Sequence, residues 1–218
     1  MTTVPAVPHR ELRADAKRNR ERILDAAREL FADEGVDACV NEIADRAGVG
    51  VGTIFRRFPT KDDLLVAVVE QRARHLLDAA DSALACDDPG DGLRAFMHAA
   101  TRLQICDRGF CDAMDTNLFA DERLRTLFRQ VVRRAGDLLR RAQAAGQVRG
   151  DVTAEDITML LLGIVRAGLI LEDTVPGAWQ RYLDLVLDGL RPEGATRLHG
   201  KAPTRRQFEA AHAAAAHT

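Results

Sequence analysis

Between residues 40 and 61 the chain gathers the side chains best suited to chemistry. From Arg46 to Lys61 it carries Arg46, Arg56, Arg57 and Lys61, the hydroxyl of Thr53, and no Asp or Glu. Cations and a hydroxyl grouped this way suit contacts with phosphates and base edges. They act only if the surrounding residues fold inward. Ile43, Ala44 and Ala47 make the apolar face of a short helix, Gly48 permits a left-handed turn, and Val49, Ile54 and Phe58 give a second helix its buried side. Val51, Gly52, Thr53, Arg56 and Arg57 are left facing outward. This is the pattern of a helix-turn-helix, and it implies DNA.

Other chemistry finds less support. An enzyme would want a nucleophile beside a base, or a carboxylate pair, at a readable spacing, and neither is present. No catalytic residue is assigned and no enzyme activity is expected. His75, His98, Cys106 and Cys111 can be assembled on paper into a metal or thiol sensor, but the spacing from Cys106 to Cys111 spans an expected helix end. No metal site or cofactor is expected, and metal or redox sensing stays a minor alternative. Cys39, Cys86, Cys106 and Cys111 lack CxxC spacing, which argues against a disulfide framework.

The chain has 218 residues, 46% hydrophobic and 5% aromatic, with 31 Lys and Arg against 33 Asp and Glu. Positive charge is therefore local, and acids outnumber bases even over residues 1–70. The DNA reading rests on motif geometry, since the charge balance of a basic nucleic-acid-binding domain is missing. Strand-like alternation is absent and Ala, Leu, Arg, Asp and Glu dominate, so the fold is expected to be all-α. No stretch approaches the roughly 18 apolar residues that span a bilayer, and the N-terminus lacks a signal peptide's apolar core. A cytoplasmic protein without a membrane partner is expected.

Residues 1–18 read as a flexible basic arm, with Arg18 and the neighbouring Arg20 placed to reach a flanking groove. Helix 1 should begin near Asn19, carry Ile23, Ala27, Leu30 and Phe31, and stop at Gly35. Thr60 with Asp63 looks like a cap for a long helix reaching about Cys86. The breaker at 87–92 reads as a domain change, although the DNA-binding unit itself is assigned to 19–66. Further helices are expected at about 92–107, 111–119, 121–145, 154–171 and 177–190, within an effector-binding and dimerisation domain of residues 67–191. Residues 192–218 are expected to be a disordered tail.

Residues 157–171 are apolar nearly all round, so a helix there must be covered on more than one side, with Gly163, Ala167 and Gly168 permitting close approach. The final helix offers Trp179, Leu183, Val186, Leu187 and Leu190. With Leu171, these residues pack either inside one subunit or against the same helices of a second copy as a homodimer interface.

Residues 19–65 resemble the DNA-binding domain of the tetracycline-repressor (TetR) family of bacterial transcription regulators. The resemblance runs through the first helix, residues 20–35, then Ile43 and Ala44, Ala47 to Val49, Gly52 to Phe55, Phe58, Lys61, and Leu64 with Leu65. Four positions depart from the usual pattern. Cys39 and Gly50 stand where Ser or Thr caps the two short helices, Phe55 replaces a phosphate-contacting Tyr, and Arg57 replaces a His or Tyr. The resemblance implies an N-terminal three-helix DNA-binding domain followed by a larger helical domain. It implies contacts from Asn41, Gly50, Thr53 and Phe55 to the groove, and from Arg57 and Lys61 to phosphates, of a double-stranded operator. The expected protein is a homodimeric repressor, paired through its last two helices as the resemblance implies, and released from a palindromic operator by a small-molecule effector. Candidate pocket residues are Phe96, Met97, His98, Arg102, Phe110, Met114, Asn117 and Arg166. The competing reading is an effector-independent protein that organises DNA or binds other proteins.

Overall fold

The computed structural model describes residues 9–105, 121–207 and 210, and the regular structure among them is helical with no strand. Helix α1 spans His9–Glu34. It starts well before the expected Asn19, because no proline follows Pro8 within the helix and Arg, Glu, Leu, Ala and Lys do, all good helix formers. Ile23, Leu24, Ala27, Leu30 and Phe31 line its buried face. Gly35, at φ 77°, ends it in a short 3-10 turn.

Helices α2 (Val40–Ala47) and α3 (Val51–Arg57) follow. Helix α4 (Lys61–Leu84) begins at a complete capping box: the Asp63 amide donates to Thr60 Oγ1 at 3.0 Å, and the Thr60 amide donates to Asp63 Oδ2 at 3.0 Å. Helix α5 covers Pro89–Ile105 and α6 covers Glu122–Ala144, capped by Asp121. Helix α7 (Ala154–Leu171) opens on a second capping box, Thr153 with Asp156, and α8 spans Ala178–Gly189. The helix expected at 111–119, with Phe110, Met114 and Asn117, lies outside the described residues, as do Cys106 and Cys111.

Two apolar cores form, and α4 belongs to both. Leu64, Leu65, Val68 and Val69 pack with α1, α2 and α3, whereas Leu76, Ala80 and Ala83 pack with α5 to α8. The turn at 87–92 therefore joins α4 and α5, two helices that both contribute to the second core. Helix α6 also reaches the first core through Leu124, which is 1% exposed, with Phe128 packed against it. Arg141 ties α6 to the far end of α4 by donating to the carbonyls of Leu84 and Cys86, which the helix ladder leaves open.

The last two helices correct the expected interface. Trp179, Leu183, Leu187 and Leu190 are buried in the subunit's own core, where α8 packs against α5 and α7. Gly168 sits at that crossing: a Cβ there would stand 2.6 Å from Ile105 Cδ1 and 3.0 Å from Trp179 Cβ. Leu171 and Val186 are half-buried, and Gly163 and Ala167 face outward. The outward apolar side consists instead of Met159, Leu160 and Ile170 on α7, Val175 after it, and Tyr182 and Leu185 on α8; Ile170 is 80% exposed.

The described residues expected to line a pocket fall in different settings. Phe96 and Met97 are closed inside the second core. Arg102 and Arg166 are exposed, and Arg166 shares the outward side of α7 with Gly163 and Ala167. His98 is half-buried with Nε2 3.6 Å from Asp184 Oδ1, a carboxylate that Arg94 also approaches at 3.6 Å. Long helices force this dispersal, since residues a few positions apart on one helix point in different directions. The segment after Leu190 runs back over the body: the Arg149 amide donates to the Leu190 carbonyl at 2.9 Å and the Arg149 side chain donates to the Thr196 carbonyl at 2.5 Å.

Candidate nucleic-acid interface

The turn between α2 and α3 is built by the backbone. Gly48 takes φ 63° and ψ 42°, a left-handed conformation that costs a side-chain-bearing residue free energy. That conformation lets the Val49 amide donate to the Ala44 carbonyl at 3.0 Å, closing the end of α2. Arg22 reaches across from α1 to donate to the Gly48 carbonyl at 3.4 Å. Neither Cys39 nor Gly50 supplies a side-chain cap, so tertiary packing holds these two short helices.

Ile54 is 1% exposed and Phe58 5% exposed, and together they anchor α3 to the first core. With those two inward, Gly52, Phe55, Arg56 and Arg57 are exposed while Val51 and Thr53 are half-buried. Phe55 leaves 45% of its surface open, a large apolar ring without an intramolecular seat. Arg56 Nη2 donates to Thr53 Oγ1 at 3.2 Å, which joins a cation and a hydroxyl on one ridge. Asn41 and Gly50 are exposed beside this ridge, and Lys61 is half-buried at the start of α4. A short helix with a hydroxyl, an aromatic ring and a guanidinium facing outward can enter a major groove, where the ring covers a thymine methyl and the guanidinium reaches a phosphate or a guanine.

Other expected contacts are engaged within the protein. Arg57 Nη1 donates to the Ala16 carbonyl at 2.9 Å, bracing α3 against α1. The Arg20 guanidinium lies 5.9 Å from the centre of the Phe58 ring, a cation–π contact that supports the same joint. Arg18 pairs with Asp15, and Arg46 lies 3.8 Å from Glu29 and 3.9 Å from Asp33. The structure thus brings Thr53, Phe55 and Arg56 together on the open side of α3 and sets Arg20 and Arg57 behind it as struts. Arg22 was missed in the sequence, where nothing marks a cation that reaches a turn in another helix.

Among the described residues no group of three or more His, Cys, Asp or Glu side chains could hold a metal ion, and no helix is long and apolar enough to cross a membrane.

Residues 23–68 match the family "Bacterial regulatory proteins, tetR family", and residues 88–192 match "Transcriptional regulator SbtR-like, C-terminal domain". A solved TetR transcriptional regulator from Streptomyces coelicolor is 33% identical, with 79% of this chain and 98% of that one covered at a TM-score of 0.65. A TetR regulatory protein from Mycobacterium vanbaalenii is 39% identical over 83% of this chain and 99% of that one, also at 0.65. An HTH-type transcriptional regulator of Staphylococcus aureus (strain USA300) is 44% identical over 61 residues; the match takes in 28% of this chain and 33% of that regulator's length. The helix-turn-helix, the helical domain behind it and likeness over nearly the full length of two solved relatives lead to one conclusion: the chain belongs to the TetR family and is a DNA-binding transcription regulator, not an enzyme.

Proposed function

We propose that the chain is a homodimeric repressor that occupies a palindromic operator and leaves it when a small molecule binds the helical domain. The observation that carries the DNA half is the open ridge of α3, with Thr53, Phe55 and Arg56 outward over the buried anchor Ile54. Asn41, Gly50, Val51 and Gly52 border that ridge, and Lys61 supplies a cation at its end. The dimer half rests on the outward apolar side of α7 and α8, where Leu160, Ile170, Tyr182 and Leu185 are exposed. Exposed apolar side chains on two adjacent helices mark a surface for association. Two-fold pairing there would present two α3 helices to half-sites roughly 34–36 Å apart, or somewhat more.

Repression is the favoured direction because SmeT of Stenotrophomonas maltophilia is described as the repressor of a multidrug efflux pump. That chain is 26% identical, with 85% of this chain and 96% of its own covered at a TM-score of 0.59.

The test is in vitro transcription from the promoter flanking the gene, with a labelled duplex of the same region titrated in parallel. Binding of two protomers per site, with transcript falling as the site fills, is the expected result. Transcript that holds steady or rises on saturation would overturn the repressor reading, and one protomer per site would overturn the dimer. A small-molecule screen on the same complex then reads release. A broad screen that stabilises the protein without shifting DNA affinity would leave an effector-independent DNA-organising protein.

A further inference from the structure

The turn that sets the angle between α2 and α3 has few side chains to hold it. Val49 and Val51 are half-buried there, and Gly48, Gly50 and Gly52 alternate with them. Neither short helix has a side-chain cap, and at eight and seven residues neither is long enough to hold itself in water. Firm ground lies on α1, where Ile23 and Leu24 are fully buried in the first core. Arg22 precedes them on the exposed side, and its Nη2 donates to the Gly48 carbonyl at 3.4 Å. The guanidinium also occupies the space that a side chain at position 48 would take, since a Cβ on Gly48 would collide with it. Gly48 thus serves the left-handed turn and leaves the seat that Arg22 fills. Arg18 and Arg46, by contrast, are drawn to carboxylates.

We infer that Arg22 is a positioning residue for DNA binding: it braces the α2–α3 turn against α1 and so holds α3 at the angle at which Thr53, Phe55 and Arg56 meet the groove. It acts through the Gly48 backbone and reads no base. A single hydrogen bond of this length is modest, but it acts on a turn with little else to fix it. When only a fraction of the molecules holds the turn in its binding arrangement, the apparent affinity falls by that fraction. A brace on the turn therefore raises affinity without adding a phosphate contact, and the salt dependence of binding stays the same. The inference rests on α3 being the helix that enters the groove.

The experiment titrates a labelled duplex of the flanking promoter with the full chain over a range of salt, comparing the parent with Arg22→Met, Arg22→Lys and Thr53→Ala. Methionine keeps the apolar stem and loses the donors, whereas lysine keeps a charged donor. Arg22 is exposed, so both variants should fold normally, and binding is read far below the melting temperature. Arg22→Met should weaken binding about three- to tenfold, the loss of one hydrogen bond, at an unchanged slope of log K against log salt. Arg22→Lys should recover most of that loss. In the free protein, exchange of the Val49 amide, which closes the turn on the Ala44 carbonyl, should quicken in Arg22→Met. A slope flatter by about 0.9 would make Arg22 a phosphate contact and overturn the inference, as would a lysine variant no better than the methionine one. Parental affinity in Arg22→Met beside a weakened Thr53→Ala overturns the inference and spares the reading of α3; parental affinity in both overturns both.

Discussion

At Gly52 nothing lies within 4 Å of where a Cβ would stand, so no contact inside the molecule requires glycine there. Glycine inside a helix costs roughly 0.5–1 kcal/mol relative to alanine. Gly52→Ala should accordingly raise stability by up to about that amount in urea unfolding, and it should weaken DNA binding by placing a methyl group between α3 and the duplex. A more stable variant with unchanged DNA affinity would remove Gly52 from the interface. Lys61 and Arg57 separate by their salt dependence. Lys61→Ala should flatten the slope of log K against log salt by about 0.9, the loss of one phosphate contact, without changing the preferred sequence. For Arg57→Ala the bond to the Ala16 carbonyl is lost too, so stability should fall together with the slope; an unchanged slope would leave Arg57 as a strut alone. The outward residues of α3 were legible in the sequence because its period is short and its anchors, Ile54 and Phe58, are plainly apolar. The engagements of Arg20 and Arg57 were not, because each depends on a partner brought close by the crossing of α1 and α3.

Helix starts show what is legible at the scale of an element. Thr60 with Asp63 and Thr153 with Asp156 are local devices, readable as a residue pair three positions apart, and both form complete boxes. The turn of α8 about its own axis is not local. Trp179, Leu183, Leu187 and Leu190 are expected from the sequence to face a partner, but the subunit's core takes them first, leaving Tyr182 and Leu185 outside. Helix α6 deserves a test because Leu124 near its start fills the DNA-binding core while the helix runs on through the second core. Asp121 caps it by accepting from the Arg123 amide at 2.8 Å and the Leu124 amide at 3.4 Å. The hydrogen bond from the Arg123 side chain, aided by those amides, holds the Asp121 carboxyl down at about 2, below the usual 3.8. A depressed carboxyl stabilises the fold above its unfolded value and loses that contribution as pH falls toward the folded one. Asp121→Ala should cost about 0.5–2 kcal/mol near pH 6, and the difference from the parent should shrink as pH falls from 4 toward 2 in denaturant titrations. A gap constant across that range would mean that the charge of Asp121 contributes nothing.

The whole molecule couples a DNA head to a helical body through α4 and α6, and its outward apolar side makes assembly the property to test. Leu185→Arg places a cation on a side chain that is 58% exposed in the single subunit, so the chain should fold normally and sediment as a monomer. A variant that stays dimeric with parental DNA affinity would move the interface elsewhere. Leu187→Arg is the wrong probe, since it would bury an unpaired charge in the subunit's own core. The central claim is that α3 reads DNA sequence, and selection from random duplexes by the full chain, run beside Thr53→Ala and Phe55→Ala, tests it most directly. The parent should enrich a palindrome whose half-sites lie about one helical turn or somewhat more apart, and the two variants should relax the preference at particular positions within each half-site. No enriched sequence for the parent, or the same consensus at the same affinity for both variants, would contradict it.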